Sequence, residues 1–188
     1  QQPSEIILLN NAFMMVRTSE DCLNLNKYLL DGLNPDSSPC HYQKPYYRQQ
    51  LKIPDCINTR EIISTIAQFA IDLRNSQFFV DGNHRTSILL IYILLAQHGI
   101  RCDSDCVRLY ILISNRCQID WKIRKMDLVK DIKRNSKKTD TTIDFIRHKA
   151  ESTKLLWKWN TLFEDISANQ TRQVLHMIKR KSPYRYNQ

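Results

Sequence analysis

Apolar positions along the chain fall into blocks with the spacing of helices. Between residues 4 and 30 they cluster around Ile6–Leu9, then Phe13, Met14 and Val16, then Leu23, Leu25, Tyr28, Leu29 and Leu30. That pattern predicts two helices parted near residues 18–21, with Ser4 and Ser19 as N-caps. Residues 31–45 are rich in Gly, Pro, Ser and Asp and read as a loop. Residues 46–54 lie between Pro45 and the closing Pro54; with Tyr47, Leu51 and Ile53 they predict a short extended flap, such as a β-hairpin arm.

The clearest amphipathic helix is expected over residues 58–75. Asn58 is placed to cap it, with Glu61 completing a capping box. Ile62, Ile63, Ile66, Phe69, Ala70 and Leu73 recur at steps of three and four, on one face. The next helix, about 84–98, is apolar all round through 88–96, so other helices must enclose it; Gly99 is placed to end it in a left-handed cap. Further helices are expected over 105–117, 126–135, 144–162 and 167–181, with a Lys-rich polar break at 136–139. Trp157, Trp159 and Phe163 fit packing at a helix end, and Ser167 fits a cap for the last helix. These elements make an all-α domain around a central buried helix, with a small flap.

Composition refines this picture in three ways. Three glycines and six prolines in 188 residues speak against a turn-dense β fold. The run 88–96 is far shorter than the ~20 apolar residues of a membrane span, and 4–16 has neither the basic lead nor the cleavage site of a secretory leader. Gln1 in place of Met reads as a processed chain or a fragment. Six irregularly spaced cysteines without a CxxC pair suit free thiols in a reducing compartment. The expected location is the cytoplasm, or a host cytosol after delivery.

The charge is uneven. Residues 121–188 carry 17 Lys/Arg against 7 Asp/Glu, a balance of +10 out of a total of +9, so residues 1–120 sum to −1. The chain therefore divides into a core, 1–120, and a basic helical extension, 121–188, which suits an acidic partner or a nucleic acid, or is a solvated helical surface. Tyr184 and Tyr186 interleave with the last basic residues, as in some nucleic-acid-binding segments.

Chemistry concentrates just before the buried helix, in the loop 77–88. Gly82 permits close backbone approach, Asn83 can cap the helix, Asp81 offers a hard oxygen to Mg²⁺, and Arg85 offers a fork suited to phosphate oxygens. A helix N-terminus opening from such a loop is a ready anion site. The residues Phe79 to Thr86, F-V-D-G-N-H-R-T, resemble the signature of the Fic/Doc (Fido) family, H-x-F-x-[DE]-[GA]-N-[GK]-R. The resemblance implies a Fic-like helical domain that takes Mg²⁺ and ATP or another nucleotide and transfers AMP, or a related group, to a protein hydroxyl. By position it implies a metal ligand at Asp81, a phosphate nest at Gly82, Asn83 and His84, and a clamp on the distal phosphates at Arg85. It further implies a flap (Tyr47, Arg48, Leu51, Ile53) that holds a target protein by strand addition.

Two positions depart from the signature. The family's general-base histidine is replaced by Gln77, whose carboxamide accepts no proton near neutral pH, and loss of a positioned base typically costs ~10²–10⁴-fold. An Arg that many members carry three residues after the motif Arg is Ile88. His84 fills a slot usually held by Gly or Lys, and is either a phosphate contact, a displaced base or a structural residue. No S/T-x-x-x-E-[GN] inhibitory segment is present. Three readings follow: a weakened protein adenylyltransferase, a pseudoenzyme or Fic-fold scaffold without chemistry, and a basic helical nucleic-acid-binding module. Cys102 and Cys106 flank two aspartates, but their spacing suits zinc poorly.

Overall fold

The computed structural model describes residues 16–30, 44, 46–55, 60–114 and 121–156, without the side chains of 121–124. Within these residues the chain is mainly helical. Its helices are α1 (Ser19–Leu30), α2 (Tyr47–Gln50), α3 (Ile62–Ser76), α4 (Asn83–Gln97), α5 (Cys106–Ser114), α6 (Trp121–Arg134) and α7 (Ile143–Lys154). Two short strands, β1 (Ile100–Cys102) and β2 (Ser136–Lys138), pair antiparallel with Ile100 opposite Lys138 and Cys102 opposite Ser136.

Helix α4 is the axis of the fold. Every residue from Ile88 to Leu95 is buried, and α1, α3, α5, α7 and β1 all pack on it. A helix without a polar face is stable in water only when enclosed in this way. It starts at Gly82, which takes φ 74° as N-cap, and ends before Gly99 at φ 70°, whose N–H donates to the Ala96 carbonyl at 3.1 Å. The expected left-handed stop at Gly99 is thus observed.

Helix α1 opens on a reciprocal cap. The Asp21 carboxylate accepts from the N–H groups of Arg17 and Thr18, both at 2.9 Å, while Asp21 N–H donates to the Thr18 hydroxyl at 3.2 Å. The cap is Thr18 rather than Ser19, because Asp21 sits where a capping box needs its acid. Helix α3 begins at Ile62, so Glu61 is the cap position and its side chain makes no capping bond; the expected capping-box role is not realised. Asn58 lies outside the described residues, as do Ser4 and everything from Trp157 onward, including the expected helix at 167–181.

Three further features differ from expectation. The flap forms no hairpin arm in its first half: Tyr47–Gln50 is a single helical turn, closed by Leu51 N–H to the Tyr47 carbonyl at 3.0 Å. Packing decides it, since Leu51 is buried and the Tyr47 ring meets Phe78 edge-on at 5.3 Å. The polar stretch after α6 is not a plain break but strand β2, whose partner β1 emerges directly after α4, so the fold is mainly α with a two-stranded sheet. Finally, α6, α7 and the turn after α7 supply Leu128, Ile132, Ile146, Ala150 and Leu156 to the same apolar cluster as α4. The first part of the basic segment is therefore built into the core.

Candidate functional site

The loop between α3 and α4 is tied down by its own polar residues. Asn83, the first residue of α4, is 3 % exposed. Its Oδ1 accepts from Phe79 N–H at 3.0 Å; its Nδ2 donates to the Phe79 carbonyl at 2.8 Å and to Gln77 Oε1 at 3.2 Å. Both of its N–H donors and one of the two lone pairs on its oxygen face back into the loop. This closes the turn and leaves no amide N–H for an anion.

Gln77 ends α3 in the left-handed conformation (φ 50°, ψ 53°), the only non-glycine with positive φ among the described residues. Such a conformation costs an L-residue ~1–2 kcal/mol. Both ends of its amide are engaged: Nε2 donates to the Arg74 carbonyl at 2.6 Å and Oε1 accepts from Asn83. The side chain that stands at the general-base position is thus a structural link between the end of α3 and the start of α4.

Gly82 is buried against α1. A Cβ there would lie 3.0 Å from Asn26 Nδ2 and 3.1 Å from Leu30 Cδ2, and its backbone already needs positive φ. Its N–H, one of those a helix N-terminus could offer an anion, donates to Asp81 Oδ1 at 2.7 Å. The Asp81 carbonyl accepts from Asn26 Nδ2 at 2.8 Å, and the same amide donates to Thr86 Oγ1 at 3.1 Å. Asn26 is fully buried, and its Oδ1 has no hydrogen-bond partner among the described residues. It anchors the loop to α1 and was not among the candidates read from the sequence. A polar residue between Leu25 and Leu29 on an apolar helix face was the available signal.

Arg85 turns inward. Its side chain lies in the core, 5 % exposed, with Nη1 donating to the carbonyls of Leu29 at 2.8 Å and Lys154 at 3.3 Å. These carbonyls belong to the last turns of α1 and α7, where the unpaired carbonyls carry the negative end of the helix dipole. Burial pushes the Arg85 pKa below its usual value, and nearby Asp81 opposes that shift.

His84 sits half-buried between α3 and α5. Its Nε2 accepts from Arg74 Nε at 3.2 Å, and its ring lies 5.9 Å from that of Tyr110. Arg74, itself buried, also donates to the Ser114 carbonyl at 3.4 Å. It is a second inward arginine that the sequence pattern did not single out, although it follows Leu73 on a helix face otherwise given to the core.

The remaining candidates are dispersed. In the flap, Arg48 is exposed and pairs with Glu20 at 3.2 Å, Leu51 is buried, and Ile53 is half-buried against the core. For a Mg²⁺–nucleotide the loop offers Asp81 Oδ2, with Oδ1 held by Gly82. Mg²⁺ bound by one carboxylate relies on substrate phosphates for much of its shell, and the groups expected to place those phosphates are bonded elsewhere. The residues present therefore fit the metal poorly. Among the described residues no cluster of three His, Cys, Asp or Glu is arranged to hold a metal ion. Cys102 and Cys106 are free, buried thiols, as is Cys22; burial pushes Cys106 up to about 12.

A groove of about 370 Å³ opens elsewhere, on the outward side of α3, lined by Ser64, Thr65, Gln68, Phe69 and Asp72 with Pro54 and Lys125. No residue of the loop 77–88 lines it. No helix among the described residues is long and apolar enough to cross a membrane. No protein-family model, curated protein or solved structure matches the chain.

Proposed function

We propose that this chain is a non-catalytic binding module of Fic-like type, in which the signature residues hold helices together rather than a nucleotide. The observation that carries the reading is the inward course of Arg85 to the carbonyls of Leu29 and Lys154. A guanidinium that satisfies two helix C-termini from inside the core is a structural cation. The same reading covers Asn83, whose amide is consumed by Phe79 and Gln77, and Gly82, which is required by its left-handed backbone and by contact with α1. Retention of D-G-N-x-R without the base thus has an account that needs no phosphate. The binding surface for a protein partner lies beside the loop, where Tyr46, exposed, and Tyr47 stack toward Phe78.

One observation favours the second reading, a phosphate site without chemistry: both bonds of Arg85 run through Nη1, leaving Nε and Nη2 for an anion that reached them. The two readings separate in one experiment. The full chain and its Gln77→His variant are incubated with Mg²⁺ and labelled ATP, and both bound and transferred label are measured. The scaffold reading expects neither in either protein. Saturable ATP binding that Arg85→Ala abolishes while the protein remains folded would replace it with the phosphate-site reading. Transfer by Gln77→His would show that only the base is missing.

A further inference from the structure

Helix α6 and strand β2 present a run of exposed cations away from the loop 77–88. Residues 121–138 hold eight Lys/Arg against two Asp, and one of those acids, Asp131, is buried and bonded to Arg108 at 2.8 Å. With Leu128 and Ile132 turned into the core, helical periodicity puts Met126, Lys130, Lys133 and Arg134 on the opposite side, and all four are exposed. The chain then passes through Asn135 into β2, where Lys137 and Lys138 are exposed as well. Among the described residues, the ion pair on this face is Lys133 with Glu61, at 3.9 Å between two exposed side chains. The result is three cations on one helix face, followed by Lys137 and Lys138 on the two sides of the strand.

We propose that this face binds the phosphate backbone of nucleic acid without reading its sequence. Lys130 and Arg134 lie about 6 Å apart along the helix axis, close to two phosphate steps of one strand at ~3.4 Å each. Against its cations the face sets Asp127 on the same helix and Glu61 beside Lys133, so its net field is positive. An anionic bilayer is a poorer match, because an interfacial helix needs an apolar face to insert and among the described residues this one exposes Met126 alone. An acidic peptide would need a groove for its side chains, and the groove described above borrows from this region only Lys125. Lysines on β2 also discourage edge-to-edge pairing of a two-stranded sheet, but that role asks nothing of Lys130, Lys133 or Arg134 on the helix.

The test is fluorescence anisotropy of the full chain with labelled 20-nucleotide single-stranded and duplex DNA of random sequence, over a salt series. Counterion release gives a slope of about −0.9 per phosphate contact on duplex and about −0.7 on single strands. The triple variant Lys130→Glu, Lys133→Glu, Lys137→Glu removes three contacts. On duplex it should flatten the slope by about 2.7 and weaken binding ~100-fold or more near 0.1 M salt. A control with the same net charge, Arg17→Glu, Lys27→Glu, Lys52→Glu, should bind nearly as the parent does. The corresponding Lys→Gln triple, with circular dichroism to confirm folding, guards against loss of structure in the charge-reversed protein. Equal weakening by both triples would reduce the effect to net charge and overturn the proposal. So would absence of salt-dependent binding, or tighter binding to phosphatidylserine-containing vesicles than to either DNA.

Discussion

If Arg85 is a structural cation, removing it should be felt in stability before anything else. Arg85→Met keeps most of the aliphatic stem and removes the guanidinium, leaving the carbonyls of Leu29 and Lys154 without their donor. A hydrogen bond from a charged group contributes about 1.5–3 kcal/mol, and a cation at a partly buried helix C-terminus up to ~2 kcal/mol. The variant also escapes the cost of burying a charge, the same desolvation that pushes the Arg85 pKa down. The net expectation is a loss of about 2–4 kcal/mol. For a chain of this length each kcal/mol corresponds to roughly 2–4 °C, giving a fall in Tm of ~5–15 °C. Thermal and urea unfolding of the purified variant measure it, with Arg48→Met as an exposed control expected within ~0.5 kcal/mol. A change in Tm under 2 °C for Arg85→Met would refute the structural role and return Arg85 to the list of candidate ligand contacts.

Other outcomes follow from neighbouring contacts. Asn83→Ala removes three loop bonds, two of them to the backbone of buried Phe79, so urea titration should register a loss of about 2–3 kcal/mol. Gly82→Ala forces a Cβ to 3.0 Å from Asn26 and 3.1 Å from Leu30 at positive φ, and a loss of ~1–3 kcal/mol is expected in the same assay. Lys149 is buried, donating to the Ser104 carbonyl at 2.8 Å and lying over Tyr92; desolvation lowers its pKa from 10.5. Between the lowered folded value and 10.5 the unfolded chain binds more protons, so this group's contribution to stability rises with pH across that window. The stability of the parent relative to Lys149→Met should therefore increase from pH 7 toward 10, as urea midpoints at several pH values would show. The comparison with the variant is needed because the buried thiols Cys102 and Cys106 titrate later in the folded chain and oppose the trend above pH 9.

Much of the architecture was legible because apolar periodicity reports burial directly. The all-round apolar run of α4 specified a central helix, and Gly82 and Gly99 bracketed it where the backbone needs left-handed turns. Strand β2 was hidden because Ser136, Lys137 and Lys138 carry no alternation of apolar and polar side chains; its pairing comes from β1 being delivered alongside. The helical turn at Tyr47–Gln50 depends on a contact with Phe78, distant in sequence. The candidate loop was found for a sound reason, and the contacts its side chains make within the fold have an equally physical one. Asn and Arg use the same donors whether they hold a phosphate or a carbonyl, so residue type alone does not tell which way they turn. Asn26 and Lys154, far from the loop in the chain, decide it.

The meeting of helix ends at Arg85 has a dynamic consequence. The Lys154 ammonium also rests over the Tyr28 ring at 4.8 Å, so the last turns of α1 and α7 touch both through the buried guanidinium and across its rim. Two segments from distant parts of the chain then share one fastening at the head of α4, and neither can fray without loosening the other. In native-state hydrogen exchange the closing turns of α1 and α7 should behave as one cooperative unit, with matched opening free energies instead of the independent fraying usual at helix ends.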